Sequence, residues 1–158
     1  MPAAGKRTFL VYWLPVLVWM GVIFLMSTSL GAGDNTSRIL GPLLKFFLPD
    51  VSAETIAALR IVVRKFAHVV EYAILASLVW RALAKPARSV PIWVNGFAWK
   101  TILVCALYAA SDEFHQTFVE SRVGTPGDVM IDMIGTISAL AVIWAWQQRR
   151  IHTAKPLG

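Results

Sequence analysis

From Phe9 to Leu30 the chain carries no charged side chain, and that run limits the possible folds more than any other feature. A helix needs roughly 20 mainly apolar residues to cross the hydrocarbon core of a bilayer. A helix that is apolar all round needs lipid or a large protein interior as its surroundings. Lys6 and Arg7 precede the run. A basic start of this kind also describes a signal peptide, with Gly31, Ala32 and Gly33 as small residues for cleavage. The run is longer than a usual signal core, so we expect it to be retained; cleavage would leave the orientation of the later helices unchanged.

Three further runs follow. Ile61 to Leu83 is interrupted by Arg64, Lys65, His68 and Glu71, while its second half, Ala73 to Trp80, is apolar. Phe97 to Val119 is apolar as far as Ala110 and then reads Ser111, Asp112, Glu113, Phe114, His115, Gln116. Asp128 to Trp146 contains Asp132. With 158 residues, 57% of them hydrophobic and 15% charged, the chain has room for one helical membrane domain over its whole length and no second soluble domain. The expected fold is therefore all-α: a bundle of about four transmembrane helices, near residues 9–30, 61–83, 97–119 and 128–146, with a loose tail over 149–158.

Charge sets the orientation. The net charge of +6 would suggest nucleic acid on a soluble face, but the basic residues flank apolar runs, which excludes nucleic acid as a partner and marks membrane orientation. The connection from Arg81 to Lys100 carries Arg81, Lys85, Arg88 and Lys100 with no acid, and the tail has Arg149, Arg150 and Lys155. The segment between the first two runs balances Arg38, Lys45 and Arg60 against Asp34, Asp50 and Glu54, and the link after the third run carries only Glu120 and Arg122. The positive-inside rule then puts both termini in the cytoplasm. Trp80, Trp93, Trp99, Trp144 and Trp146 fall at the same boundary, as an aromatic belt would. The expected location is the bacterial cytoplasmic (inner) membrane, crossed several times.

Local signals refine this picture. Leu40 to Leu48 is too short to cross and is expected to lie in the outer interface between the first two helices. Asp50 or Ser52 can cap a helix that starts near Ala53 and continues into the second span. Thr125, Pro126 and Asp128 form a capping box with Asp replacing the usual Glu, so Asp128 has a structural role to weigh against a functional one. Gly135, Ser138 and Ala139 permit close helix packing. The single cysteine, Cys105, rules out a disulfide within one chain and is expected to be a packing residue.

This topology gathers the polar residues in the outer half of the bundle. Arg64, His68, Glu71 and Tyr72 are three or four apart and form one stripe; Asp112, His115 and Gln116 form another; Asp128 and Asp132 are four apart. Lys65 and Glu113 lie off these stripes, and Glu113 reads as a solvated rim charge. Ionised groups in a membrane cost roughly 2.5–3.5 kcal/mol each on insertion scales, so they should face one another. Pairing Arg64 or Lys65 with Asp112 or Asp132 is the natural arrangement.

The segment Arg64-Lys65-Phe66-Ala67-His68-Val69-Val70-Glu71-Tyr72 resembles the RKxAHxxEY stretch of the VanZ-like family, named for the teicoplanin-resistance protein VanZ. Asp112-Glu113-Phe114-His115-Gln116 with Arg122, and Asp128-Val129-Met130-Ile131-Asp132 with Gly135, resemble that family's other two motifs. The chain departs from the pattern at Asp132, where many relatives carry Asn, and at Ala139, where Gly is common. The resemblance covers about Ile61 to Ala141 and implies a multi-pass membrane protein, with a role in glycopeptide resistance as an expectation.

Three functions fit these residues. One is a binding protein that engages a membrane lipid, a lipid-linked wall precursor or a lipid-bearing glycopeptide at the outer leaflet. Arg64, Lys65 and Arg122 would meet its phosphate or carboxylate, and Tyr72, Glu113, Gln116, Asp128 and Asp132 would complete the site. Another is an enzyme acting on such a lipid, with His68, Glu71, Asp112 and His115 as candidate acid, base and orienting groups; no cofactor is indicated. The last is a small ion- or proton-coupled transporter. His68 with Glu71 and Asp112 with His115 also have metal-ligand spacing, but ion pairing accounts for the same residues and no metal is assigned.

Overall fold

The computed structural model describes residues 9–28, 41–84, 92–93, 96–119 and 125–153, and no strand occurs among them. Four helices carry the fold: α1 (Leu14–Ser27), α2 (Ala53–Leu83), α3 (Phe97–Gln116) and α4 (Pro126–Thr153). The basic start at Lys6 and Arg7, the small residues Gly31 to Gly33, and Glu120 and Arg122 lie outside the described residues.

Each boundary has a local cause. Pro15 sits in the first turn of α1, where its missing N–H costs nothing. Backbone bonds from Trp13 to Phe9 and from Leu17 to Trp13 carry the helical path back to the start of the apolar run. Ser52, and not Asp50, caps α2: its Oγ accepts the Thr55 N–H at 3.1 Å. The helix then runs without a break through the polar stretch to Leu83. Gly96 precedes α3 at φ +67°, a left-handed conformation that glycine adopts without strain. That helix stops at Gln116, short of the expected Val119, because the Thr117 N–H turns back to the carbonyls of Glu113 and Phe114.

At the start of α4, Thr125 Oγ1 accepts the Asp128 N–H at 3.2 Å, as the capping motif requires. The reciprocal half is missing, since Glu113 Oε2 takes the Thr125 N–H at 2.8 Å and leaves the Asp128 carboxylate to other partners. The other end differs from the expected loose tail: α4 continues to Thr153. Gln147 is buried and its Oε1 accepts the Ile92 N–H at 2.9 Å, which anchors α4 at that turn, and within the helix the Arg150 guanidinium lies 3.9 Å from the Trp146 ring centroid.

The helices alternate in direction. Trp19 Nε1 donates to the Glu71 carbonyl and Arg81 to that of Val11, which makes α1 and α2 antiparallel. Tyr108 bonds the Met20 carbonyl and His115 faces Ser27, so α3 runs parallel to α1. Arg64 meets Asp128 and His68 meets Asp132, so α2 and α4 are parallel. This α2–α4 seam is the most extensive contact in the bundle. Gly135 makes it possible: a Cβ there would overlap the Val69 carbonyl oxygen and stand 3.1 Å from Val69 Cα.

Tyr72, Leu75, Ala76 and Val79 of α2 pack with Cys105 and Ala109 of α3, Val16 and Ile23 of α1 and Ala139 of α4. A second cluster holds Trp80, Ala84, Ile92, Ala98 and Leu140. Trp80 is therefore a core residue and not part of an aromatic belt, because its face of α2 turns toward α3 and α4. Trp93, Trp99, Trp144 and Trp146 are exposed, with the Trp93 and Trp99 rings 5.9 Å apart.

Much of the outer surface is apolar. Leu14, Leu17, Val18, Phe24 and Leu25 of α1 are all about half exposed, as are Leu103 and Leu107 of α3 and Ile134 and Ile137 of α4. Residues 41–47 form a short helix whose Leu43, Phe46 and Phe47 are exposed. Among the described residues one helix, over Pro126–Arg150, is long and apolar enough to cross a membrane, and α1 is a shorter apolar helix. The polar halves of α2 and α3 keep those two below that measure.

Candidate functional site

The polar ends of α2, α3 and α4 meet at one end of the bundle, and helix periodicity explains which side chains converge. On α2, Arg64 and His68 are one turn apart and face α4. On α4, Asp128 and Asp132 are also one turn apart and face α2. Because the two helices are parallel, the pairs align rung by rung.

The upper rung is a three-membered ion pair. Arg64 Nη2 lies 3.3 Å and Lys65 Nζ 3.6 Å from the two oxygens of Asp128. The carboxylate is buried, with a side chain 5% exposed, whereas the Arg64 and Lys65 side chains are 35% and 48% exposed. One buried anion thus holds two half-exposed cations, so the three groups together keep a net positive charge.

The lower rung is buried. His68 Nδ1 and Asp132 Oδ1 are 3.0 Å apart, and Asp132 is fully buried. The expected pairing of Arg64 or Lys65 with Asp112 or Asp132 does not occur: Asp128 stands one turn nearer the end of the bundle, at the level of the two cations, and takes both.

Helix α3 closes the third side. Gln116 Nε2 donates to Asp112 Oδ2 at 3.1 Å and to Glu113 Oε1 at 3.2 Å, and all three residues are buried. Glu113 is therefore no rim charge. Its carboxylate joins the Thr125 backbone to the Gln116 amide. Tyr72 is fully buried with its ring 6.4 Å from that of Tyr108. His115 leaves the group, lying against α1 with its ring 4.4 Å from Phe24 and its Nδ1 3.5 Å from Ser27 Oγ. Glu71 is partly buried, and its backbone carbonyl faces Trp19 of α1. Arg122 lies outside the described residues.

Residues 11–147 match the family model for VanZ/LLP1. The chain belongs to that family. Comparison with curated proteins and with solved structures found no match. In this VanZ-like chain the three segments that carry the resemblance are thus not separate signatures. They are the three walls of one polar site, contributed by α2, α3 and α4.

Two buried polar residues near this cluster were not singled out from the sequence. Thr136 is fully buried and continues the four-residue step from Asp128 through Asp132, a signal that was available. Ser27 is buried against His115, and nothing in its local sequence marks it out.

Proposed function

We propose that this protein is a four-span membrane protein, with both termini in the cytoplasm, that binds an anionic lipid-borne envelope component at the outer leaflet. The observation that carries this reading is the rim, where Arg64 and Lys65 are held half exposed by one buried carboxylate. Guanidinium and ammonium groups fixed from behind are suited to a phosphate or carboxylate approaching from outside. A lipid-linked wall precursor and a lipid-bearing glycopeptide both offer such a group on an apolar tail.

A groove for that tail begins one turn below the rim. It holds about 430 Å³ between α2 and α4, and Val69, Ala73, Ile74, Leu78, Ala139 and Val142 are among its lining residues. Val69 follows Lys65 by four residues, about 6 Å along the helix, so headgroup and tail sites are contiguous. The core below Tyr72 is closed by Leu75, Ala76 and Val79, which supports a binding site in preference to a passage across the membrane. A part in glycopeptide resistance belongs to this same proposal.

Orientation has a direct test. With Cys105 buried and silent, a single cysteine placed at Arg122 should react with an impermeant maleimide in intact cells, and one at Lys85 should not. The reverse pattern would invert the bundle and put the rim in the cytoplasm.

Binding is tested by retention of lipid-linked wall precursor, and separately of teicoplanin, on the detergent-solubilised protein. Arg64→Gln should lower retention about tenfold, the loss of one charge-assisted bond, at unchanged protein level. Equal retention by wild type and Arg64→Gln would end the rim proposal.

A further inference from the structure

Beneath the rim, His68 of α2, Glu113 of α3 and Asp132 of α4 converge, all buried, with one ligand-type atom of each within 4.8 Å of the others. Three features distinguish this from a group of acids brought together by chance. The donors come from three different helices. Asp132 Oδ2, on a fully buried residue, has no hydrogen-bond partner, and the nearby Asp112 Oδ1 and Gln116 Oε1 are also unpartnered. Among the described residues no Lys or Arg forms an ion pair with Asp112, Glu113 or Asp132, because Arg64 and Lys65 are both engaged by Asp128. Buried oxygens left without a donor are expensive, and here the unmet need is for positive charge.

We propose that His68, Glu113 and Asp132 bind a divalent transition-metal ion of the zinc–manganese class. One imidazole with two carboxylates is a borderline-hard donor set that suits Zn²⁺ and Mn²⁺ and offers nothing to thiophilic ions. His68 Nδ1 and Asp132 Oδ1 are separated by 3.0 Å, and neighbouring ligands about 2.1 Å from a tetrahedral ion stand about 3.4 Å apart, so this pair opens by roughly 0.4 Å to admit one. The ion replaces the proton between those two atoms, which is released. Glu113 must close in as well, from within 4.8 Å of the other two to the same spacing of about 3.4 Å. Glu113 keeps Oε2 on the Thr125 N–H, the kind of outer hydrogen bond that orients a ligating carboxylate, while Oε1 exchanges the Gln116 amide it accepts at 3.2 Å for the ion. The site stands independently of what the rim binds; that an ion here would also draw an anion toward Arg64 and Lys65 does rest on the function proposed above.

The experiment is metal analysis of the full chain, purified in detergent without a polyhistidine tag, stripped with chelator and titrated with Zn²⁺ and with Mn²⁺. Wild type should take up about one equivalent of one of these ions with proton release. Asp132→Asn and Glu113→Gln, which remove ligands outright, should weaken binding by at least the roughly 10–100-fold that loss of an outer hydrogen bond to a ligand costs, while His115→Ala binds as wild type. Wild type that binds neither ion overturns the proposal, as does undiminished binding by both folded variants. Should those variants not fold, X-ray absorption of the loaded wild type decides: one imidazole among oxygen ligands supports the site, and sulfur or several imidazoles refute it.

Discussion

Gly135→Val should separate the central seam of the bundle, lowering stability by roughly 3 kcal/mol or more and the Tm of the solubilised protein by on the order of 10 °C. A Cβ at this position meets the Val69 backbone and not a flexible side chain end. The clash is relieved only if α2 and α4 move apart. Movement there strains both rungs of the polar site, since the Arg64–Asp128 and His68–Asp132 pairs join the same two helices. Gly21→Val in α1 is the control: nothing lies within 4 Å of a Cβ there, and its effect should stay within about 0.5 kcal/mol. Thermal unfolding followed by circular dichroism checks both. Equal midpoints for the two variants would show that the close approach of α2 and α4 is not what holds the bundle together.

The His68–Asp132 pair should show a coupling energy of about 1.5–3 kcal/mol in a double-mutant cycle, the range for hydrogen bonds to charged groups. The variants are His68→Ala, Asp132→Ala and the two combined, unfolded in the presence of chelator so that metal does not contribute. Each single change strands the other member in a buried environment where the pair is 3.0 Å apart, so the double variant should lose much less than the two singles added together. Hydrogen bonds between membrane helices average only about 0.6 kcal/mol. A coupling at that level would make this contact ordinary helix packing and remove the argument that it is a strong polar centre.

The helices were legible because their signals are local. Ser52 caps α2 through the Thr55 N–H, and Thr125 and Pro126 open α4. The apolar runs gave the order of the helices, and the polar segments interrupt them within α2, near the end of α3 and at the start of α4. Gly135 was readable as a packing residue, since a small side chain in an apolar helix has few other uses. Two boundaries were not readable. The last turns of α4 depend on Gln147 reaching Ile92, a contact spanning 55 residues, and α3 ends where Thr117 bonds back on itself and not where the apolar run ends.

Partner choice behaved differently. Asp128 read as half of a capping box, and in the folded chain Glu113 has taken over its reciprocal bond while Asp128 serves Arg64 and Lys65. His115 shares a helical stripe with Asp112 and Gln116, yet it faces Phe24 and Ser27 of α1. A stripe on α3 is wide enough to touch two neighbours, and periodicity does not say which residue meets which.

What the sequence by itself determined is the set of helices, their order and the gathering of the three polar segments toward one end, because caps, apolar run lengths and charge placement act within a few residues. Only the tertiary structure decided which carboxylate answers which cation, that Glu113 is buried, and that His68, Glu113 and Asp132 converge. Those outcomes depend on the rotation of each helix about its axis and on the shift of α2 along α4. Close packing at Gly135 sets both, and no segment contains that information alone.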